Sequence, residues 1–216
     1  ERTANHGKVV DGFTIEDGIL TGYSGTAQHI VIPDGVRVIG VSAFENNTDI
    51  VSVTIPKGVW IIDQLAFADC TALESVTLPG SLKLIGKCAF SGSGIRTLRT
   101  SANIAEGAFF DCGQLKSVYI SAGTVHIENG AFVDCPDLEE VYIGKTVRII
   151  GDNAFCNCRI LDVIIPKSVT VIGEKAFGYL YEEDELRYYT EFTIHGVRGT
   201  AAERYAIKNN FAFIPG

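Results

Sequence analysis

The sequence predicts an α/β solenoid: about seven right-handed coils of roughly 23 residues around a parallel β-sheet, with short helical turns and a cap at each end. Three observations predict it. An Ala-Phe pair recurs at near-constant spacing, an alternating apolar stretch follows each pair, and the two ends depart from the repeat in ways that suit caps.

The pairs are Ala43-Phe44, Ala66-Phe67, Ala89-Phe90, Ala108-Phe109, Ala131-Phe132, Ala154-Phe155 and Ala176-Phe177, in steps of 23, 23, 19, 23, 23 and 22 residues. Four residues before each Ala stands Ile39, Ile62, Ile85, Ile104, Ile127, Ile150 or Ile172, usually followed by Gly. Three residues after each Phe come Asn47, Cys70, Ser93, Cys112, Cys135, Cys158 and Leu180. So regular a period identifies a solenoid, whose repeats bury their apolar faces only against one another.

At the front, Phe13-Thr14-Ile15 and Ile19-Leu20-Thr21 flank Glu16-Asp17-Gly18, and Asp-Gly between such runs marks a hairpin. The strands follow in order: Ile30 to Pro33, Ile50 to Pro56, Leu73 to Pro79, Ile95 to Thr100, Leu115 to Ile120, Leu138 to Ile143, Ile160 to Pro166 and Phe192 to Ile194. Their apolar residues alternate, and Pro33, Pro56, Pro79 and Pro166 close four of them, as suits a residue with no amide hydrogen for the ladder. The coil between Phe90 and Phe109 is four residues short of its neighbours and should pinch or bend the stack. After Leu180 an acidic insertion, Tyr181-Glu182-Glu183-Asp184-Glu185, reads as a protruding loop. At the back, Thr200-Ala201-Ala202-Glu203 has capping-box spacing ahead of a helix ending near Asn209-Asn210, and Phe211 to Ile214 returns as an extended segment. This divides a single domain, 1–216, into a front cap (1–26), repeats (27–195) and a back cap (196–216).

Composition narrows the function classes. A net charge of -8 without a Lys/Arg cluster argues against nucleic-acid binding. No apolar run approaches the roughly 18 to 20 residues that span a bilayer, so no membrane insertion is expected from this segment. The chain starts at Glu1 and contains no Met, which suggests a processed portion of a longer product, compatible with a removed secretion signal.

Cys70, Cys112, Cys135 and Cys158 share one register and should form an inward ladder of small, inert thiols. Cys88 and Cys156 fall outside it and are expected to be the more accessible pair, as free thiols or in a disulfide. A zinc site would need a second Cys pair or a nearby His beside Cys156-Asn157-Cys158, and neither is present; no metal or cofactor is expected. His6, His29, His126 and His195 share no register with a nucleophile or carboxylate, so the chain reads as no enzyme. The acidic run lacks the alternating ligands and Gly of a calcium loop.

Core residues take alternate strand positions. This leaves one outward stripe, Val31, Thr54, Thr77, Arg99, Tyr119, Tyr142 and Ile164, beside another, His29, Ser52, Ser75, Thr97, Ser117, Glu140 and Asp162. Arg99, Tyr119 and Tyr142, with Thr77, Ser117 and Glu140 around them, form the candidate binding patch, since Tyr and Arg are favoured at interface hot spots. Packing of Tyr119 on Tyr142 would account for the aromatics with no ligand. Trp60, Arg37, Lys83 and Arg148 fall in the outward column of the second segment and read as ordinary surface.

The Ile-Gly-x-x-Ala-Phe-x-x-Cys pattern, fullest at Ile85 to Ser93 and Ile150 to Cys158, resembles the BspA-like leucine-rich-repeat proteins of bacteria, as does the tail from Phe192 to Phe213. The likeness covers nearly the whole chain. It implies a leucine-rich-repeat fold and a secreted or cell-surface protein, with adhesin-like binding of a host extracellular or surface protein, or a glycan. A structural spacer or self-association module is the alternative, and an intracellular scaffold a third reading.

Overall fold

The structure, a computed structural model, describes residues 8–182 and 185–216. An antiparallel meander opens the chain: β1 (Lys8–Val10), β2 (Phe13–Glu16) and β3 (Ile19–Tyr23). Its second turn is the expected one, with Asp17 and Gly18 at φ 49° and 80°. Asp11 and Gly12 repeat that geometry at 49° and 85° and form a first hairpin beyond the one expected, on the same Asp-Gly signal.

Each coil then contributes two strands. The first two coils hold β4 (His29–Val31) with β5 (Val38–Ile39), and β6 (Ser52–Thr54) with β7 (Ile61–Ile62). Next come β8 (Ser75–Thr77) with β9 (Leu84–Ile85), and β10 (Thr97–Thr100) with β11 (Asn103–Ile104). The later coils supply β12 (Ser117–Ile120) with β13 (His126–Ile127), β14 (Glu140–Ile143) with β15 (Ile149–Ile150), and β16 (Asp162–Ile165) with β17 (Val171–Ile172). A hairpin, β18 (Tyr179–Glu182) and β19 (Glu185–Tyr188), precedes β20 (Thr193–Gly196), α1 (Ala201–Asn209) and β21 (Ala212–Pro215).

The first strands of the coils stack in parallel as a three-stranded sheet (β4, β6, β8) and a six-stranded one (β10, β12, β14, β16, β20, β21). The second strands join the front meander in a ten-stranded sheet ending at β17. That second sheet is absent from the sequence reading because two-residue strands carry no alternation. Only single positions of it show in the sequence: the inward Ile of each strand, Ile39 to Ile172, and outward residues such as Arg37 and Trp60. The coil of β20 adds a turn beyond the seven Ala-Phe pairs, with α1 in place of a second strand.

The core is a column of phenylalanines. Phe44, Phe67, Phe90, Phe109, Phe132, Phe155 and Phe177 stack face to face, with centroids 4.7 to 5.2 Å apart and planes within 10°. That spacing is close to the separation of paired strands, so one ring per coil stacks in step with the sheets. Phe13 and Tyr23 close the column at the front. Phe192 and Phe211 close it at the back, where Tyr205 accepts the Phe177 amide at 2.9 Å and donates to its carbonyl at 2.9 Å.

The corners are hydrogen-bonded turns rather than the helical ones expected. Six of the seven are bracketed by two left-handed residues, one just before Ala (among them Leu65, Cys88 and Asn153) and one two after Phe (among them Asp69, Asp111 and Asn157), those named at φ from 52° to 59°; at the seventh, Lys175 and Gly178 take these roles. The turns also form a ladder of their own: Phe67 donates to Ala89 of the next coil at 2.7 Å, and Phe109 to Ala131 at 2.8 Å.

The short coil interrupts the first-strand sheet between β8 and β10, while the second-strand sheet runs through it. Side chains replace the missing turn. Asn103 Oδ1 accepts the amides of Val125 and His126 at 2.8 and 3.0 Å, and the buried Thr124 hydroxyl donates to Ala102 at 2.8 Å.

Two local expectations change. The insertion is a hairpin rather than a plain loop, because Tyr179 to Tyr181 and Leu186 to Tyr188 pair antiparallel; its tip residues Glu183 and Asp184 lie outside the described residues. At α1 the capping box is not formed: the Thr200 hydroxyl donates back to Val197 at 2.6 Å, and Glu203 accepts the Gly199 amide at 2.6 Å. The helix does end as expected, with Asn210 left-handed at φ 58°.

Candidate binding face

Pairing register places the outward stripe on one surface. Arg99, Tyr119 and Tyr142 are direct neighbours on β10, β12 and β14. Ser117 and Glu140 pair in the adjoining column. Their inward neighbours Val118, Ile120 and Ile143 are buried in the core, which orients the alternate residues outward.

The Arg99 guanidinium lies 3.9 Å above the Tyr119 ring, and the Tyr119 hydroxyl donates to Glu140 at 3.0 Å. Arg99, rather than Tyr142, therefore takes the face of Tyr119. Tyr142 stands 54 % exposed. The row continues in register to Ile164, 67 % exposed, and then to His195 and Ile214. In the sequence His195 stands as an isolated histidine. Its register becomes visible only once β20 is paired with β16.

Thr77 sits apart from the other five. It lies on β8, across the break left by the short coil, where Arg96 bridges to Glu74 at 2.6 Å. Beside the face, the inserted hairpin encloses a recess of about 430 Å³ lined by Glu139, Arg159, Leu161, Asp162, Leu180 and Tyr189. Arg stacked on Tyr beside an exposed aromatic and a recess of mixed polar and apolar lining can take up planar, polar or apolar groups of a partner, but the arrangement brings no nucleophile together with a base.

The thiols are arranged as the register predicts, with one exception. Cys70, Cys112, Cys135 and Cys158 each donate to a Phe carbonyl of the preceding coil (Phe44, Phe90, Phe109, Phe132) at 3.1 to 3.2 Å. Burial pushes the Cys70 thiol up to about 12. Cys112 is held well above its usual value by its contact with the Cys135 thiol and by burial, and Cys135 chiefly by burial. All six cysteines are free. Cys88 is half-buried, but Cys156 is only 2 % exposed, against expectation; the inserted hairpin starts beside it, where the Asn157 amide donates to Tyr179 at 2.7 Å. Among the described residues, no three His, Cys, Asp or Glu side chains cluster so as to hold a metal ion, and no helix is long and apolar enough to cross a membrane.

The model of the BspA-type leucine-rich-repeat region matches this chain in six copies, over residues 14–106 and 66–183. The chain belongs to that family. A leucine-rich cell surface protein from Faecalibacterium prausnitzii shares 26 % identity with this BspA-type chain at a TM-score of 0.66, over 87 % of this chain and 59 % of that one. A leucine-rich-repeat protein from Bacteroides ovatus (24 % identity, TM-score 0.54, 87 % of this chain and 51 % of that one) shares the fold. So does the pneumococcal vaccine antigen PcpA (15 % identity, TM-score 0.55, 100 % and 49 %). The chain thus spans about half to three-fifths of the length of these proteins. No curated protein matches it.

Proposed function

We propose that this BspA-type chain is a non-catalytic, adhesin-like binding domain of a secreted or cell-surface bacterial protein. Its six-stranded sheet contacts a host or neighbouring-cell protein or glycan through Arg99, Tyr119 and Tyr142, with Ser117 and Glu140 at the rim and Thr77 across the break. The observation that carries the reading is the Arg99–Tyr119 stack beside an exposed Tyr142 in adjacent, register-locked strands. Such a patch is ordered before binding, so little side-chain freedom is lost when a partner docks. The cell-surface designation of the F. prausnitzii protein supports the location.

The test is binding of the purified chain to a panel of host matrix proteins and glycans, beside the Arg99→Ala/Tyr119→Ala/Tyr142→Ala variant. Saturable binding lost in the variant supports the reading. Binding that survives the triple change removes the assignment of the face, and no binding by the folded chain favours a spacer or self-association module.

A further inference from the structure

The sheets finish differently at the C-terminal end. The six-stranded sheet continues past β16 through β20 and β21, whereas the ten-stranded sheet stops at β17. Helix α1 follows β20 in place of a further second strand and packs beside β17, with a groove left between them. In the coil before, the Arg148 carbonyl accepts the amides of Thr170 and Val171 at 2.9 and 3.3 Å, and the Ile150 carbonyl accepts that of Gly173 at 2.8 Å. Thr170 and Ile172 are the register counterparts of Arg148 and Ile150, so their carbonyls face onward, and among the described residues no strand follows β17 in that sheet. Unpaired edges of this kind recruit extended chains.

Between β17 and α1 runs a groove of about 420 Å³ bordered by Thr170, Ile172, Lys175, Arg204, Tyr205 and Lys208. In a chain of net charge -8 it gathers three cations against one carboxylate, Glu174, which meets Lys208 at 3.3 Å in an exposed pair. Arg204 and Lys208 are one helical turn apart on α1, about 6 Å. Side chains at i and i+2 of an extended strand repeat at about 6.6 Å. The spacing therefore matches two carboxylates on one side of an added strand.

We propose that this groove is a strand-addition site for an extended acidic peptide of a partner protein. Its backbone amides bond the Thr170 and Ile172 carbonyls, and carboxylates at i and i+2 face Arg204 and Lys208.

The test is fluorescence anisotropy of the intact chain with three labelled peptides: Thr-Glu-Val-Glu-Thr, its Lys analogue Thr-Lys-Val-Lys-Thr, and the acidic peptide N-methylated at alternate amides. The acidic peptide should bind saturably, the Lys peptide about tenfold more weakly, and the N-methylated one not at all. Arg204→Glu/Lys208→Glu should invert the charge preference; both side chains are exposed and Glu is a good helix former, so circular dichroism should be unchanged. No binding of the acidic peptide at about 1 mM would overturn the proposal, as would binding indifferent to N-methylation or to the charge reversal.

Discussion

The Cys112 thiol donates to the carbonyl oxygen of Phe90, 3.1 Å away on the preceding coil. The same bond recurs from Cys135 to Phe109 at 3.2 Å and from Cys158 to Phe132 at 3.1 Å, which explains why this register takes a small apolar residue with a weak donor. Cys135→Ala should lower stability by about 1 to 2 kcal/mol, through the lost sulfur contacts and an unpaired Phe109 carbonyl. Urea denaturation followed by circular dichroism checks it, and an unchanged midpoint would show that the bond contributes nothing.

The thiols also set an alkaline limit. Burial raises Cys70 from 9.0 to about 12 and Cys156 from 9.0 to about 11. A raised folded-state value means that the unfolded chain loses the proton first. The stabilising contribution is thus complete below about pH 9 and fades as pH rises toward 11 and 12. The urea midpoint should be level from pH 7 to 8.5 and fall above pH 9. In the folded chain near pH 8, a thiol reagent should label Cys88 before the other five.

Gly178 holds φ 75°, and a Cβ there would come within 2.6 Å of Phe211 and 2.7 Å of Phe192. Gly178→Ala therefore combines left-handed strain with a clash against the rings that close the core. A loss of about 2 to 4 kcal/mol is expected, read as a lower Tm.

The short coil depends on one side chain. Asn103→Ala leaves the Val125 and His126 amides without their acceptor and should cost about 1 to 3 kcal/mol. Hydrogen exchange should quicken at those two amides before it does so at the column of phenylalanines.

What the sequence made legible were features that repeat or carry their own local signal: the Phe column, the cysteine register, the Asp17-Gly18 hairpin and the outward stripe. Features that depend on neighbouring coils were not legible. The two-residue strands of the second sheet exist because Ile39 pairs with Ile62 and so on along the stack, and two residues cannot show a period. The left-handed pairs around each corner fall on Leu65 and Cys88 as well as on Asn and Asp, so composition does not mark them. Burial of Cys156 was not legible either, because the register places it outside the cysteine ladder and says nothing of what covers it. On the candidate face, the stripe and its order followed from alternation alone, whereas the Arg99–Tyr119 stack needed coordinates.

The most direct measurement compares two faces of the same molecule. Wild type, the Arg99→Ala/Tyr119→Ala/Tyr142→Ala variant and a control on the other sheet, Trp60→Ala/Lys83→Ala, are titrated against whichever matrix protein or glycan the wild type binds. Arg99, Tyr142, Trp60 and Lys83 are exposed and Tyr119 is half-buried, so both variants should fold, with a loss of about 1 to 2 kcal/mol for the triple change. The account predicts at least tenfold weaker binding for the triple variant and wild-type affinity for the control. Equal affinity for all three, or loss only in the Trp60/Lys83 control, would contradict it.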